Sequence, residues 1–224
     1  GYEIEAITNK GYRIFKGSTP INKDIILSIL RVNERKKVTE EATNKKNITQ
    51  IFTYDVVEST NDIAKEYGEK FLGEDALFIT QSQKKGKGRR GRSFFSPSGT
   101  GLYMSLLLYP DIETEKILGI TCIMGVAVCL AIEEVTGIKT QIKWVNDIYY
   151  GDKKIAGILT EGITSVEEGC FKYVVVGVGL NIYEPYTGFP TELKDVAGAL
   201  LLEVSSDNIR EQLCGAIINN FCCP

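Results

Sequence analysis

Histidine is absent from all 224 residues. That omission removes Ser-His-Asp and Cys-His nucleophile systems, imidazole-ligated metals and imidazole general bases together. Any chemistry must rest on Lys, Arg, Asp, Glu, hydroxyls and backbone groups. Tryptophan occurs once, at Trp144, and six prolines are too few for a collagen-like or mucin-like chain. The six cysteines, Cys122, Cys129, Cys170, Cys214, Cys222 and Cys223, form no C-x-x-C pair. Most fall in apolar segments, which predicts free thiols in a reducing cytoplasm rather than a disulfide framework. The longest apolar run, Gly119 to Ile132, is about 14 residues and contains Gly125, short of a bilayer span. The opening GYEIEAITNK has no apolar leader core, so neither a membrane segment nor a secretory leader is expected. An excess of one charge is missing too: 26 basic residues face 29 acidic ones, a net of −3. No global attraction to nucleic acid or anionic lipid follows, and any polyanion site must be local.

What is present is an ordinary globular composition, 43% hydrophobic and 25% charged, long enough for one well-buried core plus fragments. Residues 1–15 alternate polar with apolar side chains around Asn9, Lys10 and Gly11, which predicts a β-hairpin. A lone two-stranded hairpin is marginal, so residues 1–17 are expected to be the remnant of a truncated domain. Ile21, Ile25, Ile26, Ile29 and Leu30 line one helical face. The polar stretch Asn33 to Asn47 reads as an exposed linker, so that 18–50 forms helix and linker and 51–224 the main domain. Within it, IFTYDVV, ALFITQS, LYMSLLLY and YVVVGVGLNI are strand-like, whereas STNDIAKEYGEKFL and EKILGITCIMGVAVCLAIEEV are helix-like. Asn208 to Phe221 reads as an amphipathic helix. The fold class is α+β or α/β, with a substantial sheet and helices packed on it.

Four segments carry the chemistry. Lys84 to Arg92, KKGKGRRGR, holds six cations, three glycines and no acid; without it the chain has 20 basic against 29 acidic residues, a net of −9. Closely spaced glycines let backbone N–H groups approach a ligand while Lys and Arg neutralise phosphate or carboxylate. The spacing matches neither a P-loop nor a dinucleotide fingerprint, and a solvated loop or nucleic-acid tail has the same composition. In IKWVNDIYYGDKKIAGILTEG, strands Asp147 to Tyr150 and Ile155 to Thr160 flank Gly151-Asp152, a hairpin that would set Asn146, Asp147 and Lys154 near one another. Lys154 starts an apolar strand, where burial is costly without an anion unless the side chain snorkels to solvent. Trp144, by its type, is expected in the core. Glu58-Ser59-Thr60-Asn61 closes a strand and caps a helix, and capping alone explains it. In GVGLN, Gly177 to Asn181, a glycine marks a bulge or a close approach to the strand.

In this order and spacing, ESTN, QSQKKGKGRRGRSFFSPSGTGLYMSLLL, KWVNDIYYGDKKIAGILTE and GVGLNI resemble a biotin protein ligase over about residues 50–185. The opening GYEIEAITNKGYRI resembles the wing of the winged helix-turn-helix domain in repressor-type members. The resemblance implies a class II aminoacyl-tRNA synthetase-like catalytic domain. It also implies ATP- and Mg2+-dependent activation of biotin to biotinyl-5′-AMP and transfer to a lysine of a biotin carboxyl carrier protein. Carried over by motif position, Ser59, Thr60, Asn61 and Gln83 hold the biotin ring, and Lys87, Gly88, Arg89 and Gly157 border its tail and the adenylate phosphate. Arg89, Arg92, Phe94 (or Phe95), Asn146 and Asn181 lie on the nucleotide side. Lys154, with Arg89, is the electrophilic stabiliser, and Asp147 orients the carrier lysine and takes a weak share of the metal. A homodimer is expected, and operator DNA only for a full-length form.

Three departures stand out. Lys87 replaces a usual Arg, losing bidentate geometry; Val145 replaces the proline of KWPND; and the SH3-like domain that usually follows is expected to be absent. Two other readings stay open: a lipoate or octanoate ligase or transferase of the same fold, and a non-catalytic biotin-sensing module.

Overall fold

Period-two alternation organises the chain. The computed structural model describes residues 4–7, 11–14, 19–36, 48, 50–71, 73–110, 117–164, 171–201 and 208–222. Strands β1 (Ile4–Ile7) and β2 (Gly11–Ile14) form the expected antiparallel hairpin, with Ile4 opposite Ile14. There follow α1 (Lys23–Lys36), β3 (Gln50–Val57), α2 (Thr60–Lys70), β4 (Ala76–Gln83), β5 (Gly101–Leu108) and α3 (Ile117–Thr136). The chain continues through β6 (Gln141–Lys143), β7 (Asp147–Tyr150), β8 (Lys153–Thr164), β9 (Phe171–Asn181) and α4 (Ile209–Cys222). Strands β3 to β9 make one seven-stranded sheet in the order β3-β4-β5-β9-β8-β7-β6, parallel only between β3 and β4. This is a mixed α+β architecture.

Because successive strand side chains point to opposite faces, the sheet builds two cores. On one face Leu77, Ile79, Met104, Leu106, Val176 and Val178 pack under α1, α3 and α4, through residues such as Ile26, Met124, Val128, Leu213 and Ile217. On the other, Phe78, Leu107, Tyr173 and Val175 pack under α2 through Ala64, with Phe52 and Tyr67 alongside. This second face is large only at one end. Along β9 it reads Tyr173, Val175, Gly177, Gly179, Asn181. The residues beside Gly177 are Ser105 and Leu159, and those beside Gly179 are Tyr103 and Gly157. The sheet surface is therefore stripped of bulk toward the C-terminal end of β9.

Several elements differ from the sequence expectations. Helix α1 runs on to Lys36, so the region expected to be linker from Asn33 begins helical; residues 37–47 lie outside the described residues, as do 1–3, 8–10 and 15–17 of the expected wing. Helix α4 is not amphipathic: Ile209, Arg210, Glu211, Leu213, Cys214 and Ile217 are all buried, because it sits against both α1 and α3. Its Gly215 permits the crossing, since a Cβ there would lie 2.7 Å from Ile29 Cγ2. Helix α3, at 20 residues, is long and apolar enough to cross a membrane by length and composition, more than the interrupted run suggested. It instead buries Met124, Val128, Ala131 and Ile132 against the sheet, with Leu118, Ile123, Val126 and Leu130 facing outward. Edge strand β6 went unanticipated. Trp144 is 74% exposed rather than in the core, because it lies in the short turn between β6 and β7. Cys122, Cys129 and Cys214 are free thiols, and burial pushes Cys214 up from the usual thiol range.

Arg210, 4% exposed, staples α4 to the sheet. Its guanidinium donates to Gln81 Oε1 and to the Thr19 carbonyl, which also accepts from Gln81 Nε2 at 2.8 Å. Removing the donor strands the buried Gln81 amide oxygen, worth about 1–3 kcal/mol, and takes a charge-assisted bond from Thr19. Arg210→Met is expected to lower the unfolding free energy by about 2–4 kcal/mol, read as a reduced urea midpoint with an unchanged denaturant slope.

Candidate functional site

The stripped patch is lined from three directions. Helix α2 presents Ser59, Thr60 and Asn61 at its start, the loop 84–96 folds across from β4, and the β7–β8 hairpin closes the far side. Gly177 is required by Asn61: a Cβ at 177 would lie 2.1 Å from Asn61 Oδ1. Gly179 is required by Phe94, whose ring would meet a Cβ there at 2.5 Å. The glycines of GVGLN thus mark close approach, by side chains of this chain, and not a bulge.

Ser59 occupies the N-cap position but makes no side-chain capping bond, so capping does not account for its buried hydroxyl. Thr60 N–H donates to Gln83 Oε1 at 2.9 Å, and Gln83 Nε2 donates to Ser96 Oγ at 2.9 Å. Ser105 Oγ lies 2.7 Å from Thr60 Oγ1 and 2.6 Å from Asn61 Oδ1. One serine proton cannot serve both contacts, and the amide oxygen can only accept, so Ser105 donates to Asn61; the Thr60 hydroxyl lies between Ser105 and Gln83 Oε1, the latter at 3.2 Å. Asn61 Nδ2 then donates to Glu161 Oε2 at 2.7 Å, and Lys65 pairs with Glu161 Oε1 at 2.9 Å. Lys65 also reaches Asp62 at 3.4 Å, and Asp62 in turn holds Lys87. A continuous polar chain thus runs from Ser96 beneath the patch to the cationic loop.

That loop is ordered as an irregular hairpin. Gln83 N–H donates to the Ser96 carbonyl at 3.1 Å, Phe94 N–H to Gly86 at 2.8 Å and Gly88 N–H to Arg92 at 2.7 Å. At its tip Arg90 takes the left-handed conformation, φ 56°, a position that costs a non-glycine residue about 1 kcal/mol. Arg89 Nη1 donates to Asn146 Oδ1 at 3.1 Å, while Asn146 Nδ2 donates to the Ile158 carbonyl at 3.1 Å. The Trp144–Val145 peptide preceding Asn146 is cis.

Two clefts adjoin here. The first, about 440 Å³ and open to solvent, is lined by Ser59, Thr60, Asn61, Gln83, Lys87 and Gly157 among others. The second, about 1520 Å³ and open to solvent, is lined by Arg92, Phe95, Asp147 and Asn181 and, beyond them, by Lys143, Tyr149, Phe189, Leu193, Val196 and Ala197. Gly88, Arg89, Phe94, Asn146 and Lys154 line both. Lys154 Nζ lies 2.7 Å from Asp147 Oδ1, both side chains roughly three-quarters buried. Every residue carried over by motif position therefore borders one cleft or the other. Lys87 differs in one respect from expectation: its ammonium is engaged by Asp62, on α2. Phe94 is wedged against Gly157 and Gly179, whereas Phe95 borders the second cleft alone.

Sequence reasoning missed Ser105, Glu161, Asp62 and the segment 189–197. The only signal at Ser105 or Glu161 is a polar side chain in a largely apolar strand, and the turn at 189–197 carries no motif. Among the described residues no group of three His, Cys, Asp or Glu could hold a metal, and Asp147 is the acidic residue among those lining the clefts.

A glycine-floored patch of the sheet, joined through the wall formed by Gly88, Arg89, Phe94, Asn146 and Lys154 to a wider cleft, makes up the candidate site. Residues 53–181 match the profile of the biotin/lipoate A/B protein ligase family, and the chain belongs to that family. It is 37% identical over 200 residues to the bifunctional ligase/repressor BirA of Bacillus subtilis, covering 89% of this chain and 57% of that protein. To BirA of Escherichia coli it is 32% identical over 127 residues, 57% of this chain and 39% of that one. The chain thus spans little more than half the length of the first of these relatives and well under half of the second. Among solved structures it resembles the biotin protein ligase of Aquifex aeolicus in complex with biotin and ATP, at 29% identity and TM-score 0.62 over 78% of this chain and 71% of that one. The Leishmania major ligase in complex with biotinyl-5-AMP shares the fold, with TM-score 0.63 at 23% identity, over 79% of this chain and 75% of that one.

Asp62 supplies a pH test. Burial works to raise its carboxyl pKa, but Lys87 and then Lys65 outweigh it and hold the group below the usual aspartate value. A carboxyl lowered on folding stabilises above its unfolded pKa, about 3.9, and that gain is lost as pH falls through the folded value. Urea midpoints measured from pH 6 down to pH 3 should therefore fall more steeply below about pH 4 for the unaltered chain than for Asp62→Asn.

Proposed function

We propose that this chain is the catalytic core of an ATP-dependent biotin protein ligase. The observation that supports the reading is Lys154 in the wall common to both clefts, where a carboxylate in one and an α-phosphate in the other would come within reach of one ammonium. Ser59, Thr60, Asn61 and Gln83 hold the biotin ring; Lys87, Gly88, Arg89 and Gly157 border its tail; Arg92, Phe94, Asn146 and Asn181 face the nucleotide. A biotin carboxylate oxygen attacks the α-phosphorus, the bond to the β-phosphate oxygen breaks, and pyrophosphate leaves. No proton moves, which suits a chain without histidine. Two anions must meet, and Lys154 and Arg89 offset their repulsion in a cleft already shaped for it. In the second step a carrier-protein lysine attacks the acyl carbon and AMP departs, with Asp147 placed to orient that amine and receive its proton.

Mg2+ fits only as an ion carried on the phosphates. It usually retains several waters and takes one or two carboxylates, and Asp147 is the one cleft-lining carboxylate available; bound there it would offset phosphate charge. The partners implied are a biotin carboxyl carrier protein, a second copy as homodimer and, for a longer form alone, operator DNA, in the cytoplasm.

Pyrophosphate release from MgATP, with biotin or lipoate, compares the chain with Lys154→Ala. Biotin-dependent release that falls by at least about 100-fold in the variant is expected. Lipoate-selective release would move the chain to the lipoate branch, and biotin binding without release would make it a sensing module.

A further inference from the structure

Lys153, immediately before Lys154, points away from the junction of the clefts and is engaged just as firmly. Its stem crosses Gly198 so closely that a Cβ at 198 would lie 2.5 Å from Lys153 Cβ. Its ammonium then donates to two backbone carbonyls, Lys194 O at 3.0 Å and Asp195 O at 2.8 Å. Those carbonyls end a short coiled segment in which Leu193 and Lys194 N–H donate to Pro190 O at 2.7 and 3.0 Å, and Val196 and Ala197 N–H to Leu193 O at 2.9 and 2.7 Å. The last carbonyls of such a turn have no partner inside it, and a lysine ammonium satisfies them while opposing the turn's negative end.

The same segment is tied to Lys154 itself. Lys154 N–H donates to Val196 O at 2.8 Å, and Gly198 N–H donates to Lys154 O at 2.9 Å. Asn181 Nδ2 donates to Gly198 O at 3.1 Å. Leu193, Val196 and Ala197 line the second cleft and none lines the first. Adjacent lysines thus divide the work: one faces the reacting anions, the other fixes the wall behind the nucleotide.

We propose that Lys153 is a positioning residue for nucleotide binding, acting through the 190–197 segment and not by touching substrate. The proposal rests on the second cleft being the ATP site. Losing two charge-assisted hydrogen bonds frees the wall on the nucleotide side and leaves the glycine-floored cleft, on the other side of Lys154, as it was.

MgATP binding by titration calorimetry, biotin binding by the same method, and pyrophosphate release are measured for the unaltered chain, Lys153→Met, Lys153→Arg and Gly198→Ala. Lys153→Met is expected to weaken MgATP binding and raise its KM by about tenfold, with biotin affinity within about twofold and kcat less affected than KM. Lys153→Arg should recover most of the loss, because a guanidinium also donates to both carbonyls. Gly198→Ala should reproduce it by displacing the lysine stem. Unchanged MgATP affinity in Lys153→Met and Gly198→Ala, or equal losses toward ATP and biotin, would overturn the proposal. An unaltered chain that binds MgATP without releasing pyrophosphate removes the ligase reading alone, and the binding comparison still decides the role of Lys153. A chain that binds no MgATP overturns both.

Discussion

Everything at the site depends on which side chains β9 sends toward α2. Alternation is strict, so a residue on that face cannot be large without filling the cleft, and the sequence solves this by placing glycine at 177 and 179 while the opposite face keeps Val176, Val178 and Leu180 fully packed. A one-residue slip in register would exchange the two faces. It would put valines under Asn61 and Phe94 and glycines into the larger core. Sheet pairing on both sides of β9, with β5 and β8, holds that register, so core stability and site shape are set by the same hydrogen-bond ladder.

On that floor the polar groups are arranged so that few stand alone. The run from Ser96 through Gln83, Thr60, Ser105, Asn61, Glu161 and Lys65 to Asp62 satisfies groups that would be costly to bury singly. It also fixes amide orientation: Asn61 must present nitrogen to Glu161 and oxygen to Ser105. Glu161 is held between Asn61 and Lys65, and Lys65 is raised above the usual lysine value because Glu161 and Asp62 outweigh the opposing effect of burial.

Much of this was legible in the sequence, for identifiable reasons. Strands β3, β4, β5 and β9 are runs of β-branched and aromatic residues, and α2 and α3 begin and end close to where their patterns do. The site motifs were legible because they break pattern: glycines in a valine run, six cations in nine residues, a lysine opening an apolar strand. What escaped notice was set by tertiary packing. Asn33 to Lys36 are polar yet helical, α4 is buried on faces a helical wheel assigns to solvent, and Trp144 is exposed because a three-residue turn leaves it no core to enter. Ser105 and Glu161 are single polar residues whose partners lie 44 and 100 positions away in sequence. The segment 189–197 has no composition that distinguishes it from any loop.

The two lysines that line the clefts nearest their junction are not bare. Lys87 is held by Asp62 and Lys154 by Asp147. An anion arriving at Lys87 or Lys154 does not meet an open positive charge; it competes with a carboxylate already in place. Entry is thus an ion exchange between fixed partners, in which the protein's own acids serve as removable stand-ins for the substrate. Two consequences follow from that substitution. The empty site avoids the self-repulsion of clustered lysines, and discrimination falls on geometry, since any visiting anion must outbid a tethered one that is already correctly aimed.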